Sequence, residues 1–435
     1  MQTSKIKKRI ITVVILIVML ALVGAALSFA FVRITYGNDF LSDVERIQSA
    51  GENSDMIMVG ASRVYRTYVP SVIDEKLDYS NTLNAGSSSQ PYSGSYYTLI
   101  DLFERFTPKT VIIDASFLTL AEEEGLQAKL LVNDRLSCKN GFKYINECLD
   151  KSEWLNLISL YRYRTDLTSV PNNIKTKIDK IINPDKKTVK DGEYYQDRGF
   201  VYTEGTVQNG NMPLPTGDYN DYSPENMISE NVEYFKKCIE LCKDKGVEIY
   251  LVTAPISLSR ILGVKNYQKA VDFFEQTAKE YGVSYFCLGY LKNREQFFPD
   301  SAMNDEHHIC GESAGLVTEM LCDLITKTQN GDDTSGDFYS DIGRLETDVH
   351  RVVAVGARIE DIGDKLEISI DSVQPKDNDV VYKVEASTDG EDFITVSDWK
   401  NDKNVVIDKP NAKKYRIKVS AKLDGVEKSE AYQIY

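Results

Sequence analysis

Four short apolar runs constrain the fold most. "DMIMVGAS" (55–62), "TVIIDAS" (110–116), "VEIYLVTAP" (247–255) and "VSYFCLGY" (283–290) are continuously apolar and end in small or turn residues. Strands of that kind are buried on both faces, as in a parallel sheet covered by helices on each side. The connecting stretches fit. In "NVEYFKKCIELCKDKG", Val232, Phe235, Ile239 and Cys242 recur at helical spacing, and Gly246 is a helix-ending residue. "YQKAVDFFEQTAKEYG" ends the same way, and "SNTLNA" (80–85) supplies a fifth strand. The expected fold over residues 53–328 is a doubly wound α/β domain with a five-stranded parallel sheet. Ligands of such sheets sit beyond the carboxyl ends of the strands, at the topological switch point.

The N-terminus sets the location. Lys5, Lys7, Lys8 and Arg9 precede an uncharged run from Ile10 to Val32, and Arg33 closes it. Its 23 residues, at ~1.5 Å each, cover a hydrocarbon core of about 30 Å. The basic excess before the run places residues 1–9 in the cytoplasm and everything beyond residue 33 outside. The expectation is a single-pass cell-membrane protein with a signal anchor at 10–32, a stalk at 33–52 and an extracytoplasmic body. A cleaved signal peptide is the alternative, because Ser28 and Ala30 offer a small-x-small pattern. The run is, however, longer than an h-region of roughly 7–15 residues. The net charge of −15 argues against nucleic acid as a partner and disfavours anionic lipid head groups. The seven cysteines form no CxxC pair and read mostly as small buried residues, with Cys138 and Cys148 as a candidate disulfide.

At 435 residues the chain is long for one core, so two domains are expected. Residues 118–230 interrupt the strand–helix alternation, with helical pieces near 125–131 and 153–168. They read as an insertion that either shapes a substrate groove or decorates the domain. "QNGDDTSGDFYSDIGRL" (329–345) has linker composition. Beyond it the apolar period becomes two, as in "LEISIDSV" and "KYRIKVSAKL", and Asp389-Gly390 is a hairpin signal. Residues 346–435, with His350 in the first strand, are expected to form an all-β sandwich. The stretch "KYRIKVSAKLDGVEKSEAYQI" resembles the last two strands of a fibronectin type III or related immunoglobulin-like domain.

Chemistry concentrates at the strand ends. Gly60 and Ala61 allow a tight turn that projects the Ser62 hydroxyl at the start of a helix, although a lone Gly-x-Ser is more often a plain turn. Gly86 follows the second strand, and its amide together with that of Ser62 is a candidate oxyanion hole, worth about 3–4 kcal/mol per donor. A serine needs a base within hydrogen-bond reach. The histidines are His307, His308 and His350, so the base comes from "NDEHHICGESAG" (304–315). Asp305 and His308 are three apart ahead of a helix. In that turn the acid can hold Nδ1–H and leave Nε2 for the serine.

This constellation resembles the SGNH, or GDSL-type, hydrolase family, whose sheet is flavodoxin-like. "VGASRV" is similar to its first block, "NAG" to its second and "DEHHICGESAG" to its last. The resemblance implies Ser62 as nucleophile, Asp305 and His308 as the rest of a triad, Ser62 and Gly86 as oxyanion donors, and no cofactor. Asn84 of the second block, Ser116 and Tyr92 are the further candidate substrate contacts. The family's third block commonly carries Gly-x-Asn-Asp, whose Asn is a third oxyanion donor. Here that strand ends "IIDASF" (112–117), without Asn. The single anchor and the missing Asn resemble a branch near the D-alanyl-lipoteichoic acid biosynthesis proteins. That resemblance implies an acylated cell-envelope polymer as substrate and a membrane-bound acyltransferase as partner.

Other classes stay open at this point. Asp305, His307 and His308 as metal ligands are disfavoured, because adjacent side chains on extended backbone point apart. A non-catalytic scaffold that binds wall polymer or a membrane acyltransferase would keep the fold without the reaction. An adhesin would use the β-domain for contact. Tyr92, Tyr96 and Tyr97 suit either stacking on sugar rings or helix packing.

Overall fold

Alternation along the central strands decides which helices cover which face. The computed structural model describes residues 2–183, 186–190, 192–207, 214–215, 220–375 and 379–434. In chain order, β1 is Met56–Val59, β2 Leu83–Asn84 and β3 Thr110–Asp114. The insertion adds β4 (Val189–Lys190), β5 (Glu193–Tyr195) and β6 (Val201–Thr203), and β7 (Glu248–Thr253) and β8 (Ser284–Cys287) follow. β1, β2, β3, β7 and β8 form one parallel sheet in the order β2-β1-β3-β7-β8. Ile57, Val59, Val111, Ile113 and Leu251 point to one face, where helices Tyr92–Phe103 and Ser229–Asp244 pack. Met56, Met58, Ile112, Tyr250 and Val252 point to the other, under helix Gly311–Gln329. This is the doubly wound α/β architecture. The chain leaves β1 for β2 on one side and returns to β3 on the other, so the switch point lies at the ends of β1 and β3.

Gly60 holds the turn after β1. A Cβ there would lie 2.4 Å from the Cβ of Asp114 and 2.6 Å from Cγ2 of Val64. Gly60→Ala is therefore expected to destabilise the fold by roughly 1–3 kcal/mol, read as a lowered midpoint of chemical unfolding.

The insertion is more ordered than its composition suggests. It contains helices Leu126–Asn133, Cys138–Cys148 and Val170–Ile182 and the antiparallel sheet β4-β5-β6. Cys138 and Cys148 sit at opposite ends of one helix, about 15 Å apart by helical rise, too far for the candidate disulfide. Both are free thiols.

The acidic linker is docked rather than loose. Phe338 stacks on Phe286 with ring centroids 6.1 Å apart, its backbone bridges to Leu291, and Leu345 is buried. After it come β9 (Ala354–Asp361), β10 (Lys365–Val373), β11 (Val381–Ser387), β12 (Ile394–Lys400), β13 (Asn404–Asp408), β14 (Tyr415–Leu423) and β15 (Val426–Ile434). They make two antiparallel sheets, β13-β10-β9 and β12-β11-β14-β15, whose facing residues, including Ile368, Val384, Ile417 and Val419, share one core. His350 precedes β9 and is exposed, outside the strand that was expected to carry it. The tight two-residue hairpin is Asp424-Gly425, with φ of 49° and 82°, between the paired Leu423 and Val426. Asp389-Gly390 instead belongs to a longer loop, in which Asp389 accepts from the amides of Glu391 and Asp392.

Candidate active site

The site is built at the switch point from pieces distant in sequence. Ser62 is the first residue of the short helix Ser62–Thr67, directly after the β1 turn. Opposite it, residues 302–310 fold back on themselves. The amide of Asn304 donates to the carbonyl of His308, and that of Cys310 to the carbonyl of Ala302. Within this loop Asp305 Oδ1 accepts from the amides of His307 and His308, at 2.8 and 2.9 Å. The same carboxylate lies 2.8–2.9 Å from His308 Nδ1. His308 Nε2 lies 2.7 Å from Ser62 Oγ. A carboxylate at Nδ1 requires the proton there, so Nε2 presents its lone pair to the serine hydroxyl.

The electrostatics favour that arrangement. Burial opposes ionisation of Asp305, but the His308 hydrogen bond and charge, with the His307 amide, outweigh it and hold the carboxyl down at about 2. His307 behaves differently. Burial first, then the charges of Arg63 and Arg260, pull it down to about 3. Its Nδ1 has no hydrogen-bond partner among the described residues, and its Nε2 is 3.7 Å from Glu306. His307 is therefore neutral at ordinary pH.

A testable pH dependence follows. The unfolded chain binds a proton at His307 near pH 6.5, whereas the folded chain does not until about 3. Stability from this group is complete above the unfolded value and is lost as pH falls towards the folded one. His307→Gln is expected to flatten the decline in thermal midpoint between pH 6.5 and pH 4. An unchanged slope would show that His307 is not the group responsible.

Four further residues were expected at the site. Gly86 approaches the turn before Ser62 closely: a Cβ there would lie 3.2 Å from the carbonyls of Gly60 and Ala61. Its amide is 3.4 Å from Asn84 Oδ1, a long contact that holds it weakly. The other three are structural. Asn84 is fully buried and donates to the carbonyls of Val64 and Tyr68. The Tyr92 hydroxyl donates to the carbonyl of Asp114 and accepts from the Ser116 amide. Ser116 Oγ accepts from Arg63 and from the Thr119 amide. None of these three side chains lines the cleft beside Ser62, and Gly86 lines the neighbouring larger cavity instead. Tyr96 and Tyr97 pack on each other and on Tyr234 and Tyr144, so the tyrosine pattern is helix packing.

Sequence reasoning missed Arg63. It is buried next to Ser62, lines the cleft and lies 3.8 Å from Asp114, at the end of β3. Burial raises the Asp114 carboxyl, and the Arg63 charge opposes that rise. The two are 51 positions apart, so no local pattern links them. The signal available was an acid ending a buried strand, which demands a cation nearby. The cleft itself has a volume of about 160 Å³ and is completed by His307, Leu118 and the acidic run Glu122, Glu123 and Glu124.

Comparison with known proteins adds no family. No family model matches the chain, and no curated protein matches it. Solved structures with some likeness include a gut microbial diltiazem-metabolizing enzyme, 10% identical over 81% of this chain and 72% of that one, with a TM-score of 0.23. An engineered protein is 9% identical over 93% and 97%, with a TM-score of 0.15. A Cellulomonas fimi endo-beta-1,4-mannanase double mutant is 8% identical over 94% and 99%, with a TM-score of 0.13. At such TM-scores none of these likenesses carries an argument about fold or activity.

Proposed function

We propose that this chain is a membrane-anchored extracytoplasmic serine esterase or O-acyltransferase of the SGNH type. The supporting observation is the chain of contacts from Ser62 through His308 to Asp305, at 2.7 and 2.8 Å. In this reading His308 takes the Ser62 proton as the hydroxyl attacks an acyl carbonyl, and the tetrahedral oxyanion faces the amides of Ser62 and Gly86. His308 then returns the proton to the leaving alkoxide. The acyl group passes from Ser62 to water or to a second hydroxyl.

The small cleft suits a short acyl group. Its rim of Glu122, Glu123 and Glu124 repels an acyl group that bears a carboxylate. The substrate class is an acylated cell-envelope polymer, and a membrane-bound acyltransferase is the proposed partner. The anchor is residues 10–32, with the N-terminus in the cytoplasm. Helix Gln2–Phe31 carries a 23-residue segment, Arg9–Phe31, apolar enough to span a bilayer.

One observation favours a non-catalytic scaffold. β3 ends in Asp114, tied to Arg63, where a third oxyanion donor would stand. A fluorophosphonate probe separates the readings, because only an activated serine is labelled. The expected result is labelling of the wild-type chain and none of Ser62→Ala. Labelling that persists in the variant would remove Ser62 as nucleophile, and no labelling of either chain would favour the scaffold.

A further inference from the structure

The insertion carries apolar side chains that none of the described residues covers. Leu155 and Ile158 are 55% and 58% exposed, Leu167 68%, and Ile181 and Ile182 69% and 68%. Trp154 is 36% exposed beside them. Clustered exposure of this kind marks an interaction surface.

Its position names the occupant. The helix Val170–Ile182 packs on the C-terminal end of the apolar helix Gln2–Phe31. Asn173 Nδ2 donates to the carbonyls of Ala30 and Phe31, and Lys177 Nζ to those of Ser28 and Phe29. These are the last carbonyls of the apolar helix; Ser28 also accepts from the Val32 amide. The helix Ser159–Arg162 packs on the same end, and Arg33 pairs with Asp166. Residues 151–182 thus form a collar at the level where the chain leaves the hydrocarbon.

Along Val170–Ile182 the positions facing the span are Asn173 and Lys177. At 100° per residue, Ile174, Ile178, Ile181 and Ile182 form an arc next to them. Residues 170–190 contain six lysines and two aspartates, but Lys180, Lys186 and Lys187 pair with Asp39, Asp179 and Asp43, so the apolar arc and not charge carries the argument. A helix with such an arc fits the head-group boundary of a leaflet.

We infer that residues 151–182 form a second membrane contact, a collar seated in the outer interface of the bilayer around the exit of the anchor. The inference rests on the anchor spanning the membrane and not on the catalytic reading. It fixes the height and orientation of the body. The cavity of about 1020 Å³ that runs from Arg33 and Asn173 to Gly86 and Ser87 then has one mouth at the lipid surface.

The test uses the full chain in phosphatidylcholine–phosphatidylglycerol vesicles with brominated acyl chains. Trp154 is read alone in Trp399→Phe, because the chain has two tryptophans. The expected result is a blue-shifted emission that brominated lipid quenches and aqueous iodide does not. Bromines near the head-group end of the chain should quench more than those at the tail. A second reporter, Ile182→Trp combined with Trp154→Phe and Trp399→Phe, should behave alike. Iodide quenching of both reporters with no bromine quenching would overturn the inference. So would protection from iodide without bromine quenching, whether or not it grows with protein density, since protein or another copy then covers the patch.

Discussion

Ser62→Ala is expected to lower turnover of a small acyl ester by about 10⁴-fold or more, with KM little changed. His308→Ala should cost about as much, and the double variant no more than either single change. That non-additivity is the decisive part. In the proposed reaction Ser62 and His308, 2.7 Å apart, act as one unit, so removing either disables the pair. The measurement is kcat for all four chains on one ester. Losses that multiply in the double variant would mean the contact is not used in the reaction. The substitutions themselves should fold, because Ser62 and His308 are partly exposed at the cleft.

The second large effect is on stability. Arg63→Leu is expected to lower the unfolding free energy by about 3–5 kcal/mol, because it strands the Asp114 carboxylate in a buried site. Asp114 is 2% exposed and Arg63 7%, so water cannot replace the missing partner. Asp114→Leu should cost a similar amount for the reverse reason. Arg63→Leu combined with Asp114→Leu should be less damaging than either single change, since it removes both charges together. Chemical unfolding midpoints of the detergent-solubilised chain read all three. If the double variant shows the summed loss of the two singles, the pair is not coupled. Activity separates a second role: Arg63 also donates to Ser116 and lines the cleft, so its loss should disturb the first helix after β1.

Elements with strong local signals were legible in the sequence. The β1 and β3 runs are continuous apolar blocks, and the helices before β7 and β8 carry a clear 3.6-residue period. Weak signals were read less well. β2 is a two-residue strand, Leu83–Asn84, found mainly because small residues follow it. The helix Val170–Ile182 does carry a helical period in Ile174, Ile178, Ile181 and Ile182, but inside a long polar stretch, and the sheet β4-β5-β6 lies in polar sequence where no strand period stands out. The two Asp-Gly pairs look identical as dipeptides. Only strand pairing separates the tight hairpin at Asp424 from the longer loop at Asp389.

The candidate site divides in the same way. Asp305 and His308 are three residues apart, and backbone geometry in a turn brings such residues together. Asn84, Tyr92 and Ser116 looked accessible because polar side chains at strand ends usually are. The structure buries them, because each satisfies backbone groups or Arg63 in a layer beneath the cleft.

By itself, then, the sequence determined what short-range physics controls: an apolar helix long enough to cross a bilayer, buried parallel strands, an alternating β region, and an acid placed to orient a histidine. The tertiary structure alone decided what depends on contacts between distant segments. It set Ser62 against His308 across 246 positions, joined Arg63 to Asp114, turned three presumed ligand contacts into internal supports, and laid the insertion against the end of the N-terminal apolar helix. Such contacts leave no periodic trace, because chain folding and not residue spacing creates them.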